Sequence, residues 1–373
     1  MTGAPMRLGF DVTSAVKPHP TGTARYAVEL LRACLRRLDP SDEVVLGWRL
    51  SRWRRREHAP RFDDPRVSVR PLQSPLAWAT YGRLDVFHGL GVNVPRGLSA
   101  RARVVTLHGI ADPPTDDAER VAKVERRVAK IARMLDRANR GIVVSEFERA
   151  RTAERLGVEP AKLSVVHHGI DPSDFRSDVD PAADRAAVGG ALPRRPFLLY
   201  AGAITELKNV GRLLEVYARS RAKGDFDLVL LGPQRAESAA ILSRVGPLGI
   251  VDRVHLAGAA APDAVSAWMR LARALIHPSR YESFGLPILE AMACGIPVAC
   301  SRAAAMPELA GSAALDFDPL SIDEMTRALD AVAADDALRA KLRARGLERA
   351  RSFTWDRSAE RTLAVYRACL DGR

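Results

Sequence analysis

Two glutamates, Glu282 and Glu290, mark the stretch of this sequence whose residue types and spacing are best suited to chemistry. On one continuous helix they would lie about 80° apart around the axis. Pro287 lies between them, and proline is strongly disfavoured in a helix interior but suits a helix start. We therefore expect Glu282 in a loop, and Glu290 in a short helix that begins at Pro287 and ends before Gly295.

The apolar residues 274–276 predict a buried strand just before this loop and helix. Parallel sheets bind ligands at the carboxyl ends of their strands, and the N–H groups at a helix start attract anions. The free N–H groups of Gly285, Leu286 and Ile288 therefore suit a phosphate, whereas the two carboxylates suit hydroxyl groups. A sugar nucleotide carries both phosphate and hydroxyl groups. The alternative is that Glu282 is a solvated loop residue and Glu290 a partner of the helix dipole.

Short apolar strands and amphipathic helices alternate along the whole chain, which predicts an α/β fold with doubly wound sheets. The 373 residues exceed one ordinary domain and predict two. The segment 172–195 is polar, contains several prolines and glycines, and is predicted to be a linker. Ser145 with Glu148 three residues later predicts a capping box at a helix start rather than a catalytic serine.

The run from Pro278 to Val298 closely resembles the Glu-x7-Glu signature of the family 4 retaining glycosyltransferases, whose GT-B fold has two Rossmann-like domains facing each other across a cleft. The resemblance implies that Glu282 lies by the donor sugar and that Glu290 holds the ribose hydroxyls. It also implies that the backbone of four residues meets the sugar and diphosphate: Ser283, Phe284, Gly285 and Leu286. The family usually has glycine where this chain has Ser283.

Gly202 and Lys208, in a Gly-x5-Lys-Asn pattern, match the family's donor-phosphate segment. Lys208 precedes a helix start beneath the same sheet edge, so its ammonium would reach the diphosphate. Many members carry a second cation where this chain has Ala203. The alternative for Lys208 is a solvated lysine.

On the acceptor side, the resemblance assigns residues of the first domain. The family's Thr-Gly-x-Gly-Arg-Tyr loop corresponds to residues 21–26, with Ala24 in place of the second glycine. A strand-end histidine, His108, matches the family's histidine that faces the donor sugar, although an ordinary hydrogen-bonded histidine is the alternative. The acceptor-side candidates are Gly22, Thr23, Arg25, Tyr26 and, more weakly, His88.

The domains implied are an acceptor-side domain at 1–171, the linker at 172–195, a nucleotide-sugar domain at 196–355 and a helix at 356–373 that crosses back. The expected activity is a retaining transfer of a hexose, mannose being a fair guess, from a nucleotide-diphosphate sugar to a glycan or glycolipid hydroxyl, as in cell-surface polysaccharide assembly. The sugar nucleotide is a substrate, and no cofactor is expected. Asp225 with Asp227, and Asp316 with Asp318, are interpreted as structural, so no metal is predicted.

Two alternatives remain: a nucleotide-sugar epimerase of the same fold, and a basic protein that binds nucleic acid. The sequence contains no strict G-x-G-x-x-G, which argues against a nicotinamide dehydrogenase. The basic run from Arg49 to Arg56, with Trp48 beside it, lacks any recognised nucleic-acid module, so no nucleic-acid partner is expected.

Positive charge is concentrated near the start of the chain. Residues 1–110 hold 18 Lys and Arg against 9 Asp and Glu, and so account for +9 of the net +12. The densest part runs from Arg49 to Arg56, beside Trp48, and suits an anionic membrane surface or a phosphorylated acceptor, a solvated loop being the alternative. Four scattered cysteines and the lack of a leader or of a long apolar run predict a cytoplasmic protein, with any membrane contact peripheral, at the inner face.

Overall fold

The computed structural model describes residues 5–17, 22–72, 75–91, 93–111 and 118–372. The chain divides into two compact units, the first made of Met1–Gly169 and Thr354–Arg373 and the second of Ile170–Phe353. Each unit contains one wholly parallel sheet with helices on its faces, which is the α/β architecture that the alternation predicts.

The described residues of the first unit form seven strands and, before the chain leaves it, four α-helices. The strands are β1 Arg7–Asp11, β2 Glu43–Arg49, β3 Val67–Leu72, β4 Leu84–Gly89, β5 Ala100–Leu107, β6 Arg140–Val143 and β7 Leu163–Val165. The helices are α1 Gly22–Leu35, α2 Ala77–Tyr81, α3 Ala118–Asp136 and α4 Glu146–Leu156. The strand order is β3-β2-β1-β4-β5-β6-β7.

The second unit contains six strands and eight helices. The strands are β8 Phe197–Ala201, β9 Asp227–Leu231, β10 Val254–Gly258, β11 Leu275–His277, β12 Val298–Ser301 and β13 Leu315–Phe317. The helices are α5 Pro181–Val188, α6 Val210–Arg219, α7 Ser238–Leu242, α8 Pro262–Leu271, α9 Leu286–Ala293, α10 Met306–Ala310, α11 Ile322–Ala334 and α12 Asp336–Ala350. The order is β10-β9-β8-β11-β12-β13. Every residue of β8, β9, β11 and β12 is buried, as expected for strands covered on both faces.

The last helix, α13 Trp355–Leu370, belongs to the first unit, where the resemblance places it. Its apolar face, which includes Leu363 and Tyr366, is buried in the same core as β1, β4 and α1. Thr354 caps the helix by accepting a hydrogen bond from the Arg357 N–H. The first unit is therefore built from both ends of the chain.

The linker prediction for residues 172–195 is wrong, because the structure places this segment inside the second unit. Asp180 caps α5, and the buried Asp184 carboxylate accepts three hydrogen bonds from the guanidinium of Arg270 on α8, at 2.6–3.1 Å. A paired, buried charge of this kind fixes α5 against α8. Arg270 is 86 residues from Asp184 in sequence. The local composition on which the linker prediction rested could not reveal this contact.

Cys34, Cys294 and Cys300 are buried free thiols, and Cys369 is a half-buried free thiol. Among the described residues, no helix is long and apolar enough to cross a bilayer. The basic run from Arg49 to Arg56 ends β2 and continues as a 3-10 helix, Leu50–His58, with no buried residue.

Candidate active site

The second sheet reverses its winding direction between β8 and β11, which are neighbours. The chain continues from β8 to β9 on one side and from β11 to β12 on the other, so the loops after β8 and β11 diverge. Such a switch point leaves a crevice at the carboxyl edge of a parallel sheet. Gly202 and Lys208 lie in the loop after β8, and Glu282 lies in the loop after β11.

The structure brings Lys208 and Glu282 together, although they are 74 residues apart in sequence. The Lys208 ammonium lies 2.5 Å from Glu282 Oε1, and their side chains are 25% and 13% exposed. Asn209 holds the Lys208 turn in place, because its buried side-chain amide donates to the carbonyls of Pro278 and Pro319. Asn209 has φ of 61°, a conformation that asparagine tolerates better than most residues.

Two further side chains, neither of which was predicted from the sequence to have a role, bind the same carboxylate oxygen. His277 Nε2 lies 2.9 Å from Glu282 Oε1, and the Ser279 hydroxyl donates to it at 3.0 Å. His277 ends β11 and is fully buried. The sequence signal that could have indicated this contact is the position of His277 at a strand end, five residues before Glu282.

The charge of Glu282 is fixed by these contacts. Burial alone would raise the pKa of Glu282, but the Lys208 ammonium and the His277 hydrogen bond outweigh it and lower the pKa to about 2. The carboxylate is therefore ionised at neutral pH. His277 Nε2 must donate the hydrogen bond, because an ionised carboxylate only accepts.

Backbone geometry at Gly202 and Gly285 requires glycine. Gly202, directly after β8, has φ of 153°, and a Cβ there would lie 2.9 Å from the Tyr200 hydroxyl. Gly285 has φ of 106° and caps α9. Gly295 has φ of 72° just past the helix, as predicted. Both ends of this short helix thus follow the chemistry of glycine.

The predicted set of free N–H groups at the start of α9 needs one correction. The Ile288 N–H donates to the Gly285 carbonyl at 3.0 Å, so it is not free for an anion. The helix begins at Leu286 rather than at Pro287, which is its second residue. The Phe284 ring is buried and packs edge-on against Phe353, with ring centroids 6.0 Å apart, while Ser283 is partly buried.

Glu290 lies in the middle of α9 and is only 8% exposed. Four residues later, Cys294 is also buried, and its N–H donates to the Glu290 carbonyl. The first turn of α9 contains no acidic side chain, so Glu290 is not placed as the partner of the helix dipole that the alternative interpretation made it.

In the first unit, His108 directly follows β5 and is partly buried. Its Nε2 donates to the Leu90 carbonyl at 2.8 Å, since a carbonyl oxygen only accepts. Burial lowers the pKa of His108 to about 4 although the Leu90 hydrogen bond opposes it. At neutral pH the ring is therefore uncharged, with Nδ1 as an acceptor, and His108 is not suited to act as a general acid.

His88 and Tyr26 are not acceptor-side residues, which corrects both predictions. His88 is fully buried, with Nδ1 2.6 Å from the Tyr366 hydroxyl and Nε2 2.8 Å from Thr106 Oγ1. The Tyr26 hydroxyl bonds the same Thr106 oxygen at 2.9 Å. These residues link β4, β5, α1 and α13 inside the core, and burial lowers the pKa of His88 to about 3.

The remaining acceptor-side candidates begin α1. Gly22 is exposed, and Thr23 and Arg25 are partly exposed. A Cβ at Gly22 would meet no atom of the described residues within 4 Å. Thr21, the first residue of the predicted loop, lies outside the described residues.

One aspartate of each pair has a side-chain partner. Asp227 is ion-paired with Arg253 at 3.0 Å and with His255 at 2.8 Å, and Asp316 pairs with Arg302 at 3.3 Å. Within the described ranges, no group of three or more His, Cys, Asp or Glu is arranged to hold a metal ion.

In comparisons with known proteins, each unit matches a glycosyltransferase profile. Residues 20–174 match the profile "Glycosyltransferase Family 4", and residues 186–349 match "Glycosyl transferases group 1". The chain is 30% identical over 301 residues to O-antigen chain mannosyltransferase B of Escherichia coli, which covers 78% of this chain and 76% of that protein. It is also 30% identical over 233 residues to an MMP alpha-(1->4)-mannosyltransferase of Mycolicibacterium hassiacum, covering 61% of this chain and 54% of that protein.

Solved structures resemble the fold along almost the whole chain. Sucrose-phosphate synthase from Thermosynechococcus elongatus superposes with a TM-score of 0.79 at 20% identity, over 99% of this chain and 100% of that one. Anabaena HepE in complex with UDP and glucose gives 0.74 at 18% identity, over 97% and 100%. The folds of the two units, the profiles matched on each and the relative aligned over three-quarters of its length agree, and the chain belongs to the family 4, group 1 glycosyltransferases of the GT-B class.

Proposed function

We propose that this protein transfers a hexose, mannose being the first candidate, from a nucleotide-diphosphate sugar to a hydroxyl of a glycan or lipid-linked glycan, with retention at the anomeric carbon. Mannose is favoured because both relatives described above are named mannosyltransferases. The O-antigen enzyme supports a place in cell-surface polysaccharide assembly. The paired Lys208 and Glu282 at the switch point of the second sheet carry the proposal.

The Lys208 ammonium is suited to the leaving diphosphate. It has three N–H donors, and the contact with Glu282 uses one, so two remain for phosphate oxygens. The N–H groups of Gly285 and Leu286 at the start of α9 supply further donors. Charge on the diphosphate grows as its bond to the sugar breaks, so these fixed donors stabilise the transition state.

In the proposed reaction, the acceptor hydroxyl forms a bond to the anomeric carbon on the face from which the diphosphate leaves. The bond between the anomeric carbon and the diphosphate oxygen breaks, and the electron pair stays on that oxygen. The departing phosphate oxygen takes the proton of the acceptor hydroxyl. No protein nucleophile and no metal ion enter this scheme.

Glu282 has two tasks in this scheme. Its ionised carboxylate holds Lys208 through Oε1, and it places negative charge near the reacting end of the sugar, which becomes cationic as the bond breaks. Glu290, on the buried face of α9, is proposed to hold the ribose hydroxyls, remote from bond breaking.

The test of this function is release of nucleoside diphosphate from a panel of sugar nucleotides, with and without glycan acceptors and with a chelator added. We expect release that an acceptor accelerates and that the chelator leaves unchanged. An epimerase would interconvert sugars without releasing the nucleotide. DNA that competed with the donor would instead support the nucleic-acid alternative.

Lys208→Ala should lower kcat on the order of 100-fold and raise KM for the donor much less, because the lost interaction strengthens towards the transition state. Lys341→Ala, at an exposed lysine of the same unit, is the matched control. Thermal midpoints of both variants test for misfolding. A rise in KM alone would make Lys208 a ground-state anchor and contradict the assigned role.

We further propose peripheral contact of the first unit with an anionic membrane at the cytoplasmic face. The 3-10 helix Leu50–His58 presents its arginines to solvent together with Leu50, 43% exposed, and Trp53, 40% exposed. Trp48, by contrast, is 6% exposed and stacks on Trp53 with ring centroids 6.0 Å apart. Aromatic and aliphatic side chains among arginines suit the interface between lipid head groups and acyl chains.

A further inference from the structure

The first unit contains a cavity of about 590 Å³ lined by five cationic side chains. They come from three separate parts of the chain: Arg49 at the end of β2, Arg96 after β4, and Lys130, Arg133 and Arg137 on or just after α3. Among the described lining residues there is no acidic side chain. Cations gathered from distant segments around one cavity produce a focused positive potential.

The three α3 residues share one face of the helix, because they lie at positions i, i+3 and i+7. None of Lys130, Arg133 and Arg137 forms an ion pair with any residue in the described part of the chain. The negative end of the helix dipole favours cations in the last turn. That effect does not explain why Arg49 and Arg96 converge on the same cavity from other elements.

Arg49 is held in place rather than solvated freely. Its guanidinium donates to Asn93 Oδ1 at 2.6 Å, and the Asn93 amide donates in turn to the buried carboxylate of Asp11. Asp11 ends β1 and also accepts from the Thr13 N–H at 2.8 Å. This chain of contacts lies at the carboxyl edge of the first sheet, where its winding reverses between β1 and β4, and it orients one cation into the cavity.

The cavity is not purely polar. Leu72, Val94 and Met134 contribute apolar surface, and so does Leu50, the first residue of the 3-10 helix. The volume falls within the range of sites that hold whole organic ligands, about 300–1,000 Å³, and exceeds what one inorganic ion requires. A ligand with a multiply charged anionic group on a larger body matches these features.

We propose that this cavity binds the phosphate or diphosphate group of the acceptor. The inference rests on the proposed function, because it is the transferase activity that requires an acceptor. Arginine is well suited to phosphate oxygens, since its planar guanidinium donates two parallel hydrogen bonds. The phosphate group is either that of a soluble glycan phosphate or that of a lipid-linked glycan at the membrane surface.

The test compares two variants that remove the same charges from the same helix. Lys130→Gln with Arg133→Gln changes the cavity, whereas Lys123→Gln with Arg126→Gln removes an equally spaced Lys–Arg pair two turns earlier, outside the cavity lining. All four side chains are exposed, so both variants should fold. Each full-length variant is titrated with inorganic pyrophosphate, and each is tested for binding to phosphatidylcholine vesicles that contain phosphatidylglycerol.

The cavity variant should bind pyrophosphate at least about tenfold more weakly than the wild type, because two charge-assisted hydrogen bonds are lost, and the matched variant should change little. If the cavity variant alone loses affinity for pyrophosphate but binds vesicles normally, the acceptor phosphate belongs to a soluble glycan phosphate. If the cavity variant alone also loses vesicle binding, the phosphate belongs to a lipid-linked glycan. Equal losses of pyrophosphate affinity and of vesicle binding in both variants would overturn the proposal. Binding would then depend on the total positive charge of α3 and not on the cavity.

Repeating the titration with Lys208→Ala removes the diphosphate site proposed in the second unit. Release of nucleoside diphosphate from the sugar nucleotide without acceptor is measured in parallel. Unchanged release together with unchanged pyrophosphate binding in the cavity variant would reject the cavity and leave the transferase function standing. Absence of any release in the wild type, with glycan acceptors as well as without them, would reject the function itself.

Discussion

Glu282 differs from an ordinary surface glutamate because Lys208, His277 and Ser279 all bind one of its oxygens. Glu282→Gln removes the negative charge but keeps the shape of the side chain. Turnover should fall on the order of 100-fold, because the charge opposite the developing cation is lost. Binding of nucleoside diphosphate should remain close to normal, since Lys208 keeps its ammonium. Both quantities are available from steady-state kinetics and a product-binding titration.

Glu290→Gln is the matched comparison, with the same chemical change at the other glutamate. It should mainly raise KM for the donor, because a ribose contact forms equally in the ground state and the transition state. A donor that lacks the ribose hydroxyls should lose little further affinity in this variant. Equal losses of kcat in both variants would contradict the orientation of the donor proposed here.

The lowered pKa of Glu282 also predicts how stability changes with pH. The folded value of about 2 lies below the ordinary value of 4.5. The carboxylate therefore stabilises the fold fully above about pH 4.5, and this contribution is lost as the pH falls towards 2. The thermal midpoint of the wild type should accordingly drop more than that of Glu282→Gln between about pH 6 and about pH 3. Parallel curves for the two proteins would exclude this linkage.

At the site, the functional residues could be predicted from the sequence, but the contacts between them could not. Glu282, Lys208 and Gly202 were identified from a motif and from the resemblance, and the structure places them at one sheet edge. The ion pair between Lys208 and Glu282 was not predicted, because it depends on β8 and β11 being neighbours. Strand order is not encoded in any local pattern.

At the scale of elements, the buried hydrogen bonds of His88 connect strands of the first sheet to the last helix. Tyr366→Phe removes the partner of His88 Nδ1, which lies 2.6 Å away. We expect a loss of about 1–3 kcal/mol in the free energy of unfolding, because a buried polar atom is left without a partner. Urea unfolding followed by tryptophan fluorescence measures this change.

Tyr81→Phe serves as the control for this prediction, since Tyr81 is equally buried in the same unit. Its hydroxyl donates to the Phe10 carbonyl over 3.4 Å, a long and weak contact. The control should therefore cost clearly less than Tyr366→Phe. Equal costs would indicate that the His88 hydrogen bond contributes nothing specific to stability.

Element boundaries were predicted well where the signal was local. Ser145 caps α4 by accepting from the Glu148 N–H at 3.1 Å, as its spacing predicted. Helix α3 ends at Asp136, because the chain turns there into β6. The burial of His88 and Tyr26 could not be predicted, because no local pattern indicates against which part of the first unit α13 packs.

At the scale of the whole molecule, positive charge on the first unit is proposed to direct the enzyme to an anionic membrane. Reversing Arg54, Arg55 and Arg56 to glutamate should greatly reduce binding to phosphatidylglycerol vesicles at low salt, at about 1 kcal/mol for each basic residue near the surface. Donor affinity should not change. Sedimentation with vesicles measures the effect, and added salt should weaken binding of the wild type.

A charge-matched control lies in the second unit, where Arg219, Arg221 and Lys341 are exposed. Their reversal to glutamate changes the net charge equally. If both triple variants lost vesicle binding to the same degree, total charge rather than the arginine-rich 3-10 helix would direct the protein to the membrane.

The way the two units share the chain has a consequence for synthesis in the cell. The second unit is one uninterrupted segment, Ile170–Phe353, whereas the first also needs Thr354–Arg373. During translation the second unit is complete as soon as Phe353 leaves the ribosome, while the first still lacks α13. The unit made first therefore finishes folding last, with apolar surface of β1 and α1 uncovered until then. A stop codon introduced after Phe353 and before α13 is complete would leave the second unit whole, whereas the first unit would lack part of α13 and be exposed to proteases.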